Sequence, residues 1–236
     1  MPLQCPRSRI IEFRQVEPKS SYILRCLETN IYADRLTDFL ITSRAAYNEQ
    51  IPYHNFRHVV DVLQAVFVML VQLGALPPYS GSVIPFESLN KTGVASLIRP
   101  ADALCLMIAA IGHDVGHPGV NNAFLVKLKA PLAQIYNDKS VLESFHCAAF
   151  SQVLRRHWPE ALELDLRKLM IDTILATDMA LHFDYMAKLA SLKHQAQAPG
   201  GVEKWDEKTT AANRTILCSI LIKCADISNV VSINGT

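Results

Sequence analysis

Apolar residues along this chain recur at three- and four-residue spacing, a helical pattern, and no stretch alternates as a strand would. Ile31, Leu36, Phe39, Leu40, Ala46 and Tyr47 predict a helix over 31–48, with Asn30 as N-cap and Ile51-Pro52 as its break. A second helix is expected from His54 to Leu73, closed by Gly74 and Pro77-Pro78. Residues 77–100 are rich in proline and small polar side chains and read as a loop. The strongly apolar run Ala103 to Ile111 belongs to a helix over 101–112, with Asp102 in its first turn complementing the dipole. Asn121 to Ala130 reads as a short helix stopped by Pro131. Ser140 to His157 is amphipathic, with Ser140 as N-cap and Glu143 at N3 forming a capping box. Helices over 165–177, 180–196 and 206–225 follow, with Pro199-Gly200-Gly201 as a link. The expectation is an all-α, compact multi-helix fold: one domain over 30–236 behind a poorly ordered lead-in, 1–29.

Composition narrows the function. Half of the 236 residues are hydrophobic and 19% are charged, which excludes disorder. The net charge is +1, from 23 basic and 22 acidic residues, so there is no global electrostatic case for nucleic acid or an anionic membrane. An anionic substrate would have to be attracted locally, for instance by metal ions. No apolar run approaches the ~18 residues that span a bilayer, and residues 1–19 lack a signal-peptide core. Cys5, Cys26, Cys105, Cys147, Cys218 and Cys224 form no C-x-x-C pair. They read as free thiols in a reducing compartment, and the expected location is cytoplasmic.

The candidate chemistry gathers in His113-Asp114-Val115-Gly116-His117-Pro118-Gly119-Val120-Asn121-Asn122. Asp is rarely buried unless it is paired or binds metal, so His113 and Asp114 at the end of an apolar helix call for partners. His54 and His58, four apart, would share one face of the second helix; the alternative is a pair of surface or capping histidines. Asp226, after the apolar run 216–222, could be a further ligand or pair with an arginine. Two histidines with two carboxylates suit Zn²⁺, Fe²⁺ or Mn²⁺, and oxygen-rich positions suit Mg²⁺ or Mn²⁺. Glu143 and His146 lie one turn apart and could orient a metal-bound water or a catalytic histidine, although capping alone accounts for Glu143. Thr177-Asp178-Met179 reads as an ordinary helix stop.

Taken together, these residues resemble the HD superfamily of metal-dependent phosphohydrolases, and within it the class I 3′,5′-cyclic nucleotide phosphodiesterases. The run 113–124 looks like that family's signature. Tyr53-His54-Asn55-x-x-His58, Asn137-Asp138-x-Ser140-Val141-Leu142-Glu143, Ala176-Thr177-Asp178-Met179 and Ala225-Asp226-Ile227-Ser228-Asn229 resemble its other blocks in the same order. The resemblance implies hydrolysis of a cyclic nucleotide, cyclic AMP favoured over cyclic GMP, to the 5′-monophosphate by hydroxide activated between two metals. His58, His113, Asp114 and Asp226 would hold the tighter ion, Zn²⁺, and Asp114 would bridge to Mg²⁺ or Mn²⁺. Waters on the second ion would be held by His117, Glu143 and Thr177, with His146 also near it. His54 would be the general acid, and Tyr53, Met179 and Asn229 would line the nucleotide pocket. Family members also carry further helices after the last block, so the expectation is a catalytic domain incomplete at its C-terminus, with exposed apolar faces that favour homo-oligomers. The remaining alternatives are a non-catalytic metal-binding fragment and another HD-type phosphohydrolase.

Overall fold

The computed structural model describes residues 33–76, 93–159 and 166–228. The lead-in, Asn30, Ile31, most of the 77–100 loop and Asn229 lie outside the described residues. Within them the chain is α-helical with short 3-10 turns and has no strand. The helices are α1 (Ala33–Ala45), α2 (Phe56–Gln72), α3 (Pro100–Gly112), α4 (Asn122–Lys127), α5 (Pro131–Ile135), α6 (Val141–His157), α7 (Leu166–Leu175), α8 (His182–Gln197) and α9 (Glu207–Ser228).

α3 is the central element. Its run of small and aliphatic residues buries Ala103, Cys105, Leu106, Ile108, Ala109 and Ala110 on all sides, as expected of a helix packed by neighbours around its circumference. It packs on α2 and α7, and α9 packs on the same two helices. α2 contributes Val59, Val62, Val66 and Leu70, all essentially inaccessible. Phe39 of α1 meets Phe150 of α6 and Trp158 edge-on or tilted at 5.9 and 5.6 Å between centroids. Asp102, fully buried, opens α3: its carboxylate accepts from the Arg99 backbone N–H and from the Arg99 guanidinium.

Three local expectations are corrected. α2 begins at Phe56, because the Asn55 carboxamide accepts the Arg57 and His58 N–H groups from an extended backbone. His54 therefore precedes the helix and does not share a helical face with His58. Pro131 opens α5 at its first position rather than merely ending α4, since proline lacks only a donor that a first turn leaves unpaired. The Ser140 capping box does not form: Ser140 sits at φ 40°, and its hydroxyl donates to Asp178 Oδ2 at 2.8 Å. The start of α6 is satisfied instead by Asn122, whose Oδ1 accepts the Leu142 N–H at 2.9 Å. No helix among the described residues is long and apolar enough to cross a membrane.

Candidate metal centre

The ends of three helices bring the sequence-predicted ligands together. α2 supplies His58 from its first turn, α3 leads into His113 and Asp114, and α9 supplies Asp226 from its last turn. The turn after α3 is clamped from the loop after α1. The Tyr47 hydroxyl donates to Ile111 O at 2.8 Å and accepts from Asp114 N at 3.4 Å, while Gly116 N donates to Ala46 O at 3.0 Å. Gly112 is required just before this turn, because a Cβ there would lie 2.1 Å from Phe150 Cδ1.

His58 Nε2 lies 3.0 Å from Asp226 Oδ1 and 3.5 Å from Asp114 Oδ2. His113 Nε2 lies 3.4 Å from Asp114 Oδ2, 3.6 Å from Asp226 Oδ1 and 3.3 Å from His58 Nε2. His113 Nδ1 donates to Ala110 O at 2.9 Å, which leaves the Nε2 lone pair facing the cluster. Asp114 Oδ2 is buried without a hydrogen-bond partner. An orphaned carboxylate oxygen is costly in a protein interior, and here it faces two imidazole nitrogens and a second carboxylate. That donor set fits a divalent cation and disfavours a simple arginine pair for Asp226.

Asp114 also faces the other way, with its Oδ1 3.8 Å from His146 Nε2. Asp114, His117 and His146 gather as a second candidate cluster, in which Asp114 and His146 Nε2 offer lone pairs, and Asp114 Oδ2 also reaches the first cluster, so the two meet at Asp114. His146 Nδ1 donates to Val115 O at 2.8 Å and turns Nε2 toward Asp114. His117 is built the opposite way. Its Nδ1 accepts the Gly119 N–H at 3.0 Å, so the neutral ring carries hydrogen on Nε2 and presents a donor there. His54 stacks on His117 at 3.9 Å between centroids, 14° from parallel.

Burial and neighbouring charges set the protonation of these groups. Burial pulls His113 down, but Asp114 and Asp226 outweigh it and raise its pKa to about 9. Burial opposes ionisation of Asp226, yet His113 and His58 hold its carboxyl far below the usual range. Burial, foremost, lowers His117 and His146 to about 4. His54 is also lowered by burial, against the pull of Asp114. Glu143 is raised by burial, against its bond from Asn122 Nδ2 at 2.9 Å. Tyr53, tilted over His58 at 4.7 Å, is pushed up to about 12 by burial and then by Asp226, so its phenol stays protonated.

Two other expected residues lie on the turn beyond α7. Thr177 is buried and donates to Ile174 O at 2.8 Å, which leaves its oxygen only as an acceptor. Met179 is exposed, its sulfur 3.8 Å from Lys223 Nζ. Sequence reading missed the roles of Asn122, Tyr47 and Lys223. The signal for Lys223 was a charge inside the apolar run of α9, where only a partnered residue can sit.

Residues 53–233 match the family model described as 3′5′-cyclic nucleotide phosphodiesterase. The chain is 35% identical over 199 residues to 3′,5′-cyclic-nucleotide phosphodiesterase 2 of Saccharomyces cerevisiae, covering 84% of this chain and 30% of that protein. It is 31% identical over 207 residues to the 3′,5′-cyclic-AMP phosphodiesterase 4C of Mus musculus, covering 84% of this chain and 27% of that protein. The chain thus spans less than a third of the length of these relatives. Its fold superposes on the crystal structure of yeast caPDE2 with a TM-score of 0.75 at 38% identity, over 89% of this chain and 42% of that one. The phosphodiesterase domain of the Salpingoeca rosetta RhoPDE fusion protein gives 0.64 at 26% identity, over 89% and 59%. With the family pattern running through all four converging ligands, the chain belongs to the 3′5′-cyclic nucleotide phosphodiesterase family.

Proposed function

We propose that this chain hydrolyses a 3′,5′-cyclic nucleotide to the nucleoside 5′-monophosphate. The observation that carries the reading is the convergence of His58, His113 and Asp226 on Asp114, whose buried oxygen lacks a partner, beside a second donor group that shares Asp114. His58, His113, Asp114 and Asp226 would hold the tighter ion, and their two nitrogens and two carboxylates suit Zn²⁺. Asp114 would also serve the second, where Mg²⁺ or Mn²⁺ suits an oxygen-rich shell completed by water. When bound, such ions supply charge neutralisation at the phosphodiester and lower the pKa of the attacking water.

The side chains do the rest. His146 turns its Nε2 lone pair toward the second position, while His117, Glu143 and Thr177 offer hydrogen bonds to ordered water. His54 stands before α2, at the edge of the centre, as general acid. As water adds to phosphorus and the bond to the 3′ oxygen breaks, His54 gives its proton to that oxygen. An approaching anionic substrate favours the imidazolium of His54, and His117, neutral beneath it, adds no repelling charge. Tyr53 and Met179 would line the nucleotide site, with Asn229 completing it. Cyclic AMP is the first substrate to test, because the mouse relative is named for it. The free thiols of Cys105, Cys147 and Cys218 support a reducing, cytoplasmic setting.

The test is incubation of the metal-loaded chain with cyclic AMP and cyclic GMP, with the products identified. Release of the 5′-monophosphate is expected. A 3′-monophosphate would overturn the assignment of the leaving oxygen, and bound metal without turnover of either nucleotide would make the chain a non-catalytic binding unit.

A further inference from the structure

Lys223 is a buried cation that the chemistry above does not use. It is 1% exposed and lies on α9 three residues before Asp226, on the neighbouring turn of the same face. Its ammonium donates to Ala176 O and Asp178 O, both at 3.0 Å, and approaches Met179 Sδ at 3.8 Å. Those carbonyls belong to the turn beyond α7, where backbone acceptors are left over at a helix end and a cation is favoured. A buried ammonium is tolerated only when its donors are used, and here they are used on a single turn.

The same turn is held a second time. Ser140, at the start of α6, donates to Asp178 Oδ2 at 2.8 Å, and Asp178 Oδ1 accepts the Ala180 N–H at 2.8 Å. The turn is thus tied at its backbone to the helix that carries Asp226. At its side chain it is tied to the helix that carries Glu143 and His146. Asp226, Asp178 and Glu143 are the acids whose charges act most on the ammonium.

We propose that Lys223 is a positioning residue that sets the Thr177–Met179 turn against Asp226 and so shapes the second cation position, the one that Asp114 would share. The proposal rests on the two-cation reading. It is opposite in sign to a purely electrostatic role: removal of a nearby positive charge alone would tighten cation binding, whereas release of the turn weakens it at the second position. The test loads the metal-stripped chain with one equivalent of Zn²⁺ and then titrates Mn²⁺, with free Mn²⁺ read by electron paramagnetic resonance. Lys223→Met is expected to keep its Zn²⁺ and to bind Mn²⁺ about tenfold more weakly, or worse. Unchanged or tighter Mn²⁺ binding in the folded variant overturns the proposal, as does parallel loss of Zn²⁺. If Lys223→Met does not fold, Ser140→Ala removes the other tie. Weaker Mn²⁺ binding with Zn²⁺ retained supports the proposal, and unchanged binding overturns it. A wild-type chain that takes up Zn²⁺ but no Mn²⁺ overturns the proposal and the two-cation reading together, whereas equal Mn²⁺ affinity in wild type and variant overturns the role of Lys223 alone.

Discussion

His113 and His117 lie four residues apart and both turn Nε2 outward from their backbone bonds, but in opposite tautomers. Ala110 O takes the Nδ1 hydrogen of His113 and frees Nε2 as a ligand, while Gly119 N occupies Nδ1 of His117 and leaves Nε2 as a donor. That difference separates a residue suited to metal from one suited to water, and it depends on backbone geometry that the sequence does not display. The gathering of His58, His113, Asp114 and Asp226 was legible because histidines and acids beside apolar helical runs need partners. Asn122 and Lys223 were not, since their partners lie 20 to 47 positions away along the chain. The sharpest consequence at this scale concerns His54. His54→Ala is expected to reduce turnover by roughly 10²- to 10⁴-fold, the usual contribution of a general acid, with metal content unchanged by elemental analysis. Loss of metal in that variant would assign His54 to the ligand set instead.

Helix ends carry the centre, so the caps matter as much as the ligands. The periodic interiors of α2, α3, α6 and α9 were readable because one apolar stripe, or in α3 a whole circumference, faces the core. Their starts were less so. Asn55, rather than a residue before His54, caps α2, and Asn122 caps α6 across a sequence gap that no local motif encodes. Asn55→Ala removes the acceptor for Arg57 N and His58 N, and is expected to cost about 1 kcal/mol, measurable in a denaturant titration. It should also weaken the tighter ion, because His58 sits in the turn that loses its cap. Gly112→Ala is expected to cost about 1–3 kcal/mol through overpacking against Phe150. An unchanged denaturation midpoint would show that the Phe150 ring yields freely.

At the scale of the whole molecule, the same cluster joins folding to metal binding. In the metal-free chain His113 is raised to about 9. Its contribution is full below the unfolded value of about 6.5 and is lost as pH rises toward 9. His117 and His146 are lowered to about 4, so their contribution is present above about 6.5 and is lost as pH falls toward 4. The metal-free chain should therefore be most stable near pH 6.5, by thermal melts across pH. Ligation needs neutral imidazole, so metal affinity should rise over the range where His113 deprotonates. The gap in Tm between loaded and metal-free chain is then expected to widen from pH 6.5 to 9. A gap that narrows there would place His113 outside the ligand set. Apolar side chains such as Phe183 and Met179 also stand exposed on this molecule.

One measurement bears on the centre and its chemistry at once: cyclic AMP hydrolysis and bound metal, determined on the same sample while divalent cations are returned to the chelator-stripped chain. The expected result is that 5′-AMP production appears only as the second equivalent of cation binds. Full turnover in the stripped chain, or turnover complete at one equivalent, would contradict a centre in which Asp114 serves two ions.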